Sequence, residues 1–340
     1  MNLTYVGTTF SHIAGAMTTN NYLWVSSDCK IYTAAIPVTL LVTMPPFLSN
    51  RKIYAVSDSL FWQSGSIPGS LSYKVKKFSF NGSAVTELLM LPHTFDYNYS
   101  LYANSTYVHY GQDNGIFCYD VNGTYCDTAL SSQKVIFFIA GDSAYLYVIY
   151  YDKINQIYYL NAYSNNIGNY ILLASTAITT APAVGVSPDF PVSLYATERK
   201  AHILIQGYVT GTDTYVIYGF NGSTLNLESS VDVYTGEGTS GKIVVSDDEY
   251  ALIGIKTGRV IVDPWGQNIY KIYKKNVLKY TTSVNCVYNH ATEIYYWHSK
   301  NPSDDNGYFA FNLNSSTANV NNLYRMNPDQ FDTTTVNWIP

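Results

Sequence analysis

Six histidines, four cysteines, 24 acidic and 19 basic side chains are the raw material for chemistry in this chain. His12, His93, His109, His202, His290 and His298 form no HxH or HExxH pair, so no metal-binding face is readable. No GxSxG elbow, P-loop or Ser-His-Asp set occurs either. Breaking a glycosidic bond calls for two carboxylates at a set separation. The acidic residues of the long connections, Asp96, Asp113, Asp152, Asp189, Asp213, Glu237 and Asp305, show no such pair and read as turn and loop groups. The expectation is a chain that is not an enzyme, with no catalytic residue, no metal and no cofactor. Cys29, Cys118, Cys126 and Cys286 lack the CxxC spacing of zinc sites. Cys118 and Cys126 flank a turn in CYDVNGTYC, and their even separation places both on one face of a hairpin, where a cross-strand disulfide would form. Cys29 and Cys286 pair only if the fold brings the chain ends together.

Asparagine offers a second kind of chemistry. Asn-x-Ser/Thr acceptors occur at Asn2, Asn81, Asn98, Asn104, Asn122, Asn221 and Asn314. Their bland reading is turn chemistry, since Asn and Gly tolerate positive φ. Their other reading is glycosylation of an exposed, extracytoplasmic surface.

These residues sit in a repeating frame. An aromatic strand followed by an Asn/Asp turn appears as FSFNGS (Phe78–Ser83), FCYDVNGT (Phe117–Thr124), YYLNAYS (Tyr158–Ser164), YGFNGS (Tyr218–Ser223), VIVDPWG (Val260–Gly266) and FAFNLNSS (Phe309–Ser316). Before each comes a strand, a polar turn and another strand, as in IYAVSDSLFW (Ile53–Trp62), LYANSTYVHY (Leu101–Tyr110) and SLYATERKAHILI (Ser193–Ile205). The second pattern occurs seven times, from YLWVSSDCKIY (Tyr22–Tyr32) to CVYNHATEIYYW (Cys286–Trp297). Two hairpins per unit at a period of ~40–50 residues resemble the β-propeller family in its broad sense. Neither a WD dipeptide nor a kelch double glycine is present. The resemblance implies an all-β fold of seven four-stranded blades, with six or eight as alternatives. It implies one domain over residues 1–340, with 1–20 completing the last blade and 327–340 forming a tail. Closure of such a ring would bring Cys29 near Cys286.

In a propeller blade with strands A to D from the axis outward, the A–B and C–D turns share one face. Asn81, Asn122, Asn221 and Asn314 map to C–D turns and Asn104 to an A–B turn. The opposite face carries the longer loops and is the expected binding face. Its candidates are Trp62, Asp113, Asn114, Arg259, Asp305 and Asn306, with Trp62 and Trp265 adjoining turns where a ring could stack on sugar. SDDNG at Ser303–Gly307 resembles the start of a sialidase Asp-box, but Tyr308, Phe309 and Ala310 depart from that pattern. A sialidase also needs three arginines, and the chain has only Arg51, Arg199, Arg259 and Arg325.

Composition narrows the function classes. Of 340 residues 47% are hydrophobic, 13% are charged and 34 are tyrosines, and the net charge is -5. Lacking clustered basic charge, the chain is not expected to bind nucleic acid. The longest uncharged stretch, between Lys30 and Arg51, is broken by Pro37, Pro45 and Pro46, so two strands are expected there and no membrane span. No basic and apolar leader is read at the start. A chain rich in Tyr, Asn, Ser and Thr, low in charge and studded with acceptor asparagines is similar to virion and surface-layer proteins of thermoacidophilic archaea. That likeness implies a structural or adhesive protein on a virion or cell surface, acting in attachment or assembly through the longer-loop face. The implied partners are other virion or surface-layer proteins and a host glycan or receptor. A glycan-binding or glycosidase-like propeller and an intracellular interaction scaffold are the alternatives.

Overall fold

Runs of aromatic and β-branched residues separated by Asn, Asp and Gly leave little choice but strand and turn. The computed structural model describes residues 2–10, 16–18, 22–25, 30–33, 39–44, 50–66, 73–92, 100–112, 115–130, 134–142, 144–165, 168–178, 192–205, 212–235, 240–246, 250–257, 265–274, 277–287, 295–298, 307–311, 320–326 and 337–338. Among the described residues there is no helix, and so none long and apolar enough to cross a membrane.

Strand β1 is Asn2–Phe10. The next strands are β2 (Ala16–Thr18), β3 (Tyr22–Val25), β4 (Lys30–Thr33) and β5 (Leu40–Thr43), then β6 (Asn50–Ser57), β7 (Leu60–Ser66), β8 (Tyr73–Phe80) and β9 (Val85–Met90). They are followed by β10 (Ser100–Ala103), β11 (Tyr107–Gln112), β12 (Gly115–Asp120) and β13 (Tyr125–Ala129), and by β14 (Lys134–Gly141), β15 (Tyr145–Asp152), β16 (Ile157–Ser164) and β17 (Leu172–Ala177). Two further groups are β18 (Val192–Thr197), β19 (Lys200–Ile205), β20 (Thr212–Phe220) and β21 (Leu225–Thr235), and β22 (Ser240–Ser246), β23 (Tyr250–Thr257), β24 (Trp265–Lys274) and β25 (Val277–Val287). The last strands are β26 (Tyr295–His298), β27 (Gly307–Phe311), β28 (Val320–Met326) and β29 (Asn337–Trp338). Each group of four from β2 to β25 is one sheet in simple sequence order, and the remaining sheet has the order β26-β27-β28-β1-β29. The N-terminal strand thus pairs antiparallel with β28, from Leu3 opposite Met326 to Phe10 opposite Val320, while Asn2 and Leu3 pair in parallel with Asn337 and Trp338.

The chain divides into two compact units. One comprises Met1–Asp96, Pro264–Gln267 and Lys279–Pro340, and the other Tyr97–Asp263 and Asn268–Leu278. In the first, Ile31 and Met44 of one sheet region pack with Phe61, Phe78 and Phe80 of the next sheet, and the Phe61 and Phe78 rings stack at 5.0 Å. In the second, both faces of the β18–β21 sheet are covered. Ala201, Ile203, Val216, Tyr218 and Phe220 meet Tyr147, Ile149, Leu160 and Ala162 on one side. Leu204, Tyr215, Ile217 and Val233 meet Ile253 on the other. Burial on both faces explains why strands such as KAHILI read as apolar runs and not as strict alternation.

One expected turn is displaced. YYLNAYS reads as strand then turn at Asn161, yet β16 runs straight through it and Asn161 is buried. Its amide donates to the Tyr163 hydroxyl at 2.8 Å, which lets a polar residue sit in mid-strand.

Gly141 marks a close approach between two sheets of the second unit. A Cβ there would lie 2.4 Å from the buried Tyr102 ring. Gly141→Ala is therefore expected to destabilise by about 1–3 kcal/mol through overpacking. A denaturant midpoint unchanged from wild type would contradict this.

Candidate functional site

Several described A–B and C–D turns are polar. Short hairpins there are built on side-chain caps. Asn104 Oδ1 accepts the Thr106 and Tyr107 N–H groups at 2.8 and 2.7 Å. Asp142 Oδ1 accepts those of Ala144 and Tyr145 at 2.7 and 2.6 Å, and its Oδ2 accepts the Arg199 N–H of the next sheet at 2.9 Å. Asn165 ties these turns together. Its amide donates to the Asp142 carbonyl at 2.8 Å and to the Tyr102 hydroxyl at 3.1 Å, and its Oδ1 accepts from the Asn104 amide at 3.2 Å. Arg199 is thereby held at φ 59°, in the left-handed region.

Around Arg199 the β18–β21 sheet forms an open groove of about 340 Å³. The A–B turn contributes Glu198, Arg199 and Lys200, and the C–D side contributes Asn221, Asn226 and Glu228. The two turns are joined by the Phe220 N–H donating to the Arg199 carbonyl at 2.8 Å. Glu228 falls at a register shift between Ile217 and Tyr218. Its carboxylate folds over Gly219, where a Cβ would come within 1.9 Å of Oε1. Lys200 Nζ stands 3.6 Å from Glu228 Oε2. Two carboxylates, two cations and two amides make a groove of balanced charge, rich in donors and acceptors. That chemistry suits a hydroxyl-rich ligand better than an ion or an apolar one.

Of these residues the sequence singles out only Asn221, as a glycan acceptor, because TERK reads as a hairpin turn. The signal was available for part of the site: the rule that A–B and C–D turns share a face puts Arg199 beside Asn221. Glu228 was not accessible in that way, because its position depends on the bulge.

The expected site residues fare unevenly. Trp62 is a correction: it is wholly buried, lying in β7 between Tyr54 and Lys77, with the Lys77 Nζ 5.7 Å over its ring. It adjoins a turn in sequence, but a central strand buries both faces, so it cannot stack on an external sugar. Asp113, Asn114, Arg259, Asp305, Asn306, Asn98, Asn314 and Cys29 lie outside the described residues. So do Asp96, Asp189 and Glu237. Asp213 is buried on β20. Asp152 caps the β15–β16 turn, accepting the Ile154 and Asn155 N–H groups at 2.9 and 3.1 Å, and these bonds hold its carboxyl below the usual range.

The Cys118–Cys126 disulfide is also corrected: both are free thiols. Cys118 pairs with Asp127 while Tyr119 pairs with Tyr125, so Cys126 is the extra residue of a bulge and even spacing no longer implies direct opposition. Burial, and then the neighbouring Cys126, push the Cys118 thiol well above its usual value, which makes it a poor nucleophile. Cys286 lies on β25, and its proposed partner is among the undescribed residues. His109 and His202 are core groups. His109 Nδ1 is 3.0 Å from the Tyr170 hydroxyl, and burial lowers its pKa to about 3. His202 bridges Thr197 at 2.9 Å and Tyr215 at 2.7 Å.

No family model matches the chain, and no curated protein matches it. Solved structures do. A computationally designed protein, Ika8, aligns with a TM-score of 0.57 at 12% identity, over 95% of this chain and 99% of its own. A structure described as a putative 6-phosphogluconolactonase from Bacteroides fragilis aligns at 0.53 and 11%, over 89% and 86%. A polysaccharide lyase, an ulvan lyase bound to a saccharide, aligns at 0.51 and 8%, over 96% and 98%. The fold is a β-propeller. These likenesses also correct the expectation that the chain is not an enzyme. Structures sharing its architecture are described as enzymes, so missing linear motifs are no ground for excluding catalysis. In a propeller, functional groups converge from separate blades, and no short motif has to record them.

Proposed function

We propose that this propeller, with seven blades in one domain, is an exposed attachment protein of a virion, of archaeal-virus type, or of a cell surface, and that it recognises carbohydrate. The observation that carries the reading is the groove at Glu198, Arg199, Lys200, Asn221, Asn226 and Glu228, which is solvent-open and presents both donors and acceptors around Gly219 and Phe220. A chain rich in Ser, Thr and Asn with 13% charged residues is in keeping with it. The partners are then a host-surface glycan and neighbouring virion or surface-layer proteins.

Binding of the labelled protein to a glycan array tests this. Wild type is expected to bind a defined set of glycans, and Glu228→Gln with Arg199→Ala to weaken that binding at least tenfold, about 1.4 kcal/mol. Absence of binding, or binding that survives both substitutions, would overturn it. Hydrolysis is a second reading, because Glu198 and Glu228 share the groove and paired carboxylates are the usual means of glycoside cleavage. Release of reducing ends from a bound glycan, lost in Glu198→Gln, separates turnover from binding.

A further inference from the structure

Two of the Asn-x-Ser/Thr turns, both Asn-Gly-Ser, share one geometry. In Asn81-Gly82-Ser83, Asn81 Oδ1 accepts from the Ser83 N–H at 3.1 Å, the Ala84 N–H at 2.8 Å and the Ser83 hydroxyl at 3.1 Å. In Asn221-Gly222-Ser223 the same oxygen accepts from the Ser223 N–H at 3.0 Å, the Thr224 N–H at 2.9 Å and the Ser223 hydroxyl at 3.2 Å. Gly82 and Gly222 hold φ of 93° and 103°, which keeps each tip in this form. Both asparagines are exposed, and among the described residues neither Nδ2 has a partner. Three donors on Oδ1 draw electron density towards oxygen and make the Nδ2 protons easier to lose.

Asn104 differs at that atom, and the Asn122 turn differs in its accepting oxygen. Asn104 forms the same turn, but it is half-buried and its Nδ2 is committed to Asn165 Oδ1. In the Asn122 turn the accepting oxygen belongs to Asp120, which takes the Asn122 and Thr124 N–H groups at 2.8 Å each. Burial pushes the Asp120 carboxyl up, but the bonds from Thr124 and Asn122 outweigh it and hold the group low.

We propose that, among the acceptors whose side chains are described, Asn81 and Asn221 take N-glycan in the folded chain and Asn104 does not. In the transfer, Nδ2 forms a bond to the anomeric carbon of a lipid-pyrophosphate-linked oligosaccharide. The bond from that carbon to the pyrophosphate oxygen breaks, the lipid pyrophosphate leaves, and one amide proton passes to a base of the transferase. A glycan on Asn221 stands at the rim of the groove, whereas Asn81 lies on a different sheet.

The test incubates the purified, folded full chain with a single-subunit oligosaccharyltransferase and its lipid-linked oligosaccharide, and follows occupancy by peptide mass spectrometry. Tryptic peptides of the same protein serve as unfolded acceptors. In the folded chain Asn81 and Asn221 are expected to be modified at least tenfold faster than Asn104, and in the peptides that difference should vanish. Ser83→Thr and Ser223→Thr should retain modification. Equal rates at Asn104 in the folded chain, or no transfer to Asn81 and Asn221 while the peptides accept, would refute the assignment. Neither result bears on the glycan-array measurement, which uses unmodified protein.

Discussion

Acidification from about pH 6.5 to about pH 4.5 should weaken the fold by about 2–3 kcal/mol through His109 alone. Its ring is buried among Tyr102, Tyr107 and Tyr170, and burial lowers its pKa to about 3. Above about pH 6.5 the ring is neutral in both the folded and unfolded chains. Below it, only the unfolded chain takes up the proton, so the unfolded state gains free energy with every further step towards acid. The loss levels off only near pH 3, where the folded ring protonates as well. Denaturant titrations at a series of pH values should show the slope in wild type and its reduction in His109→Gln. An identical slope in the variant would assign the acid sensitivity to other groups. The result also bears on the acid-adapted reading of the composition. Low charge spares a protein the cost of protonating many carboxylates, whereas a buried neutral histidine is a liability in the same medium.

Asp142→Ala is expected to cost about 2–4 kcal/mol, a large effect for a half-buried turn residue. The carboxylate takes three backbone N–H groups: those of Ala144 and Tyr145 in its own turn and that of Arg199 in the neighbouring sheet. Alanine leaves all three without their acceptor and releases Arg199 from its left-handed conformation. Asp142→Asn keeps one accepting oxygen, so it should lose roughly half as much. Thermal or denaturant unfolding of the two variants decides this, and equal stability of wild type and Asp142→Ala would show that water replaces the carboxylate. Because Arg199 lines the groove, Asp142→Ala should also weaken any glycan binding that the array detects, without Asp142 touching the ligand.

How much of this was legible beforehand differs from element to element. The Asn-Gly-Ser turns at Asn81 and Asn221 were readable because the information is local: a positive-φ glycine and a capping amide lie within four residues. The four-stranded units were readable for the same reason, as strands and turns alternate at a regular period. Asn161 was misread because the same Asn that caps a turn can also be carried inside a strand, provided that a hydroxyl such as Tyr163 is there to receive its amide. Trp62 was misplaced because proximity to a turn in sequence says nothing about which neighbours cover a central strand. Cys118 and Cys126 were misjudged because one bulge residue cancels the parity on which the pairing argument rested.

By itself, then, the sequence determined the all-β architecture, the four-stranded units and the turn chemistry, since each depends on residues close together in the chain. Only tertiary structure decided that Asp142 and Asn165 of one sheet hold a turn of another, that a bulge swings Glu228 over Gly219 into a groove with Arg199, and that His109 is sealed from water. Those features depend on register and on packing between sheets, which residue spacing along a single strand does not encode.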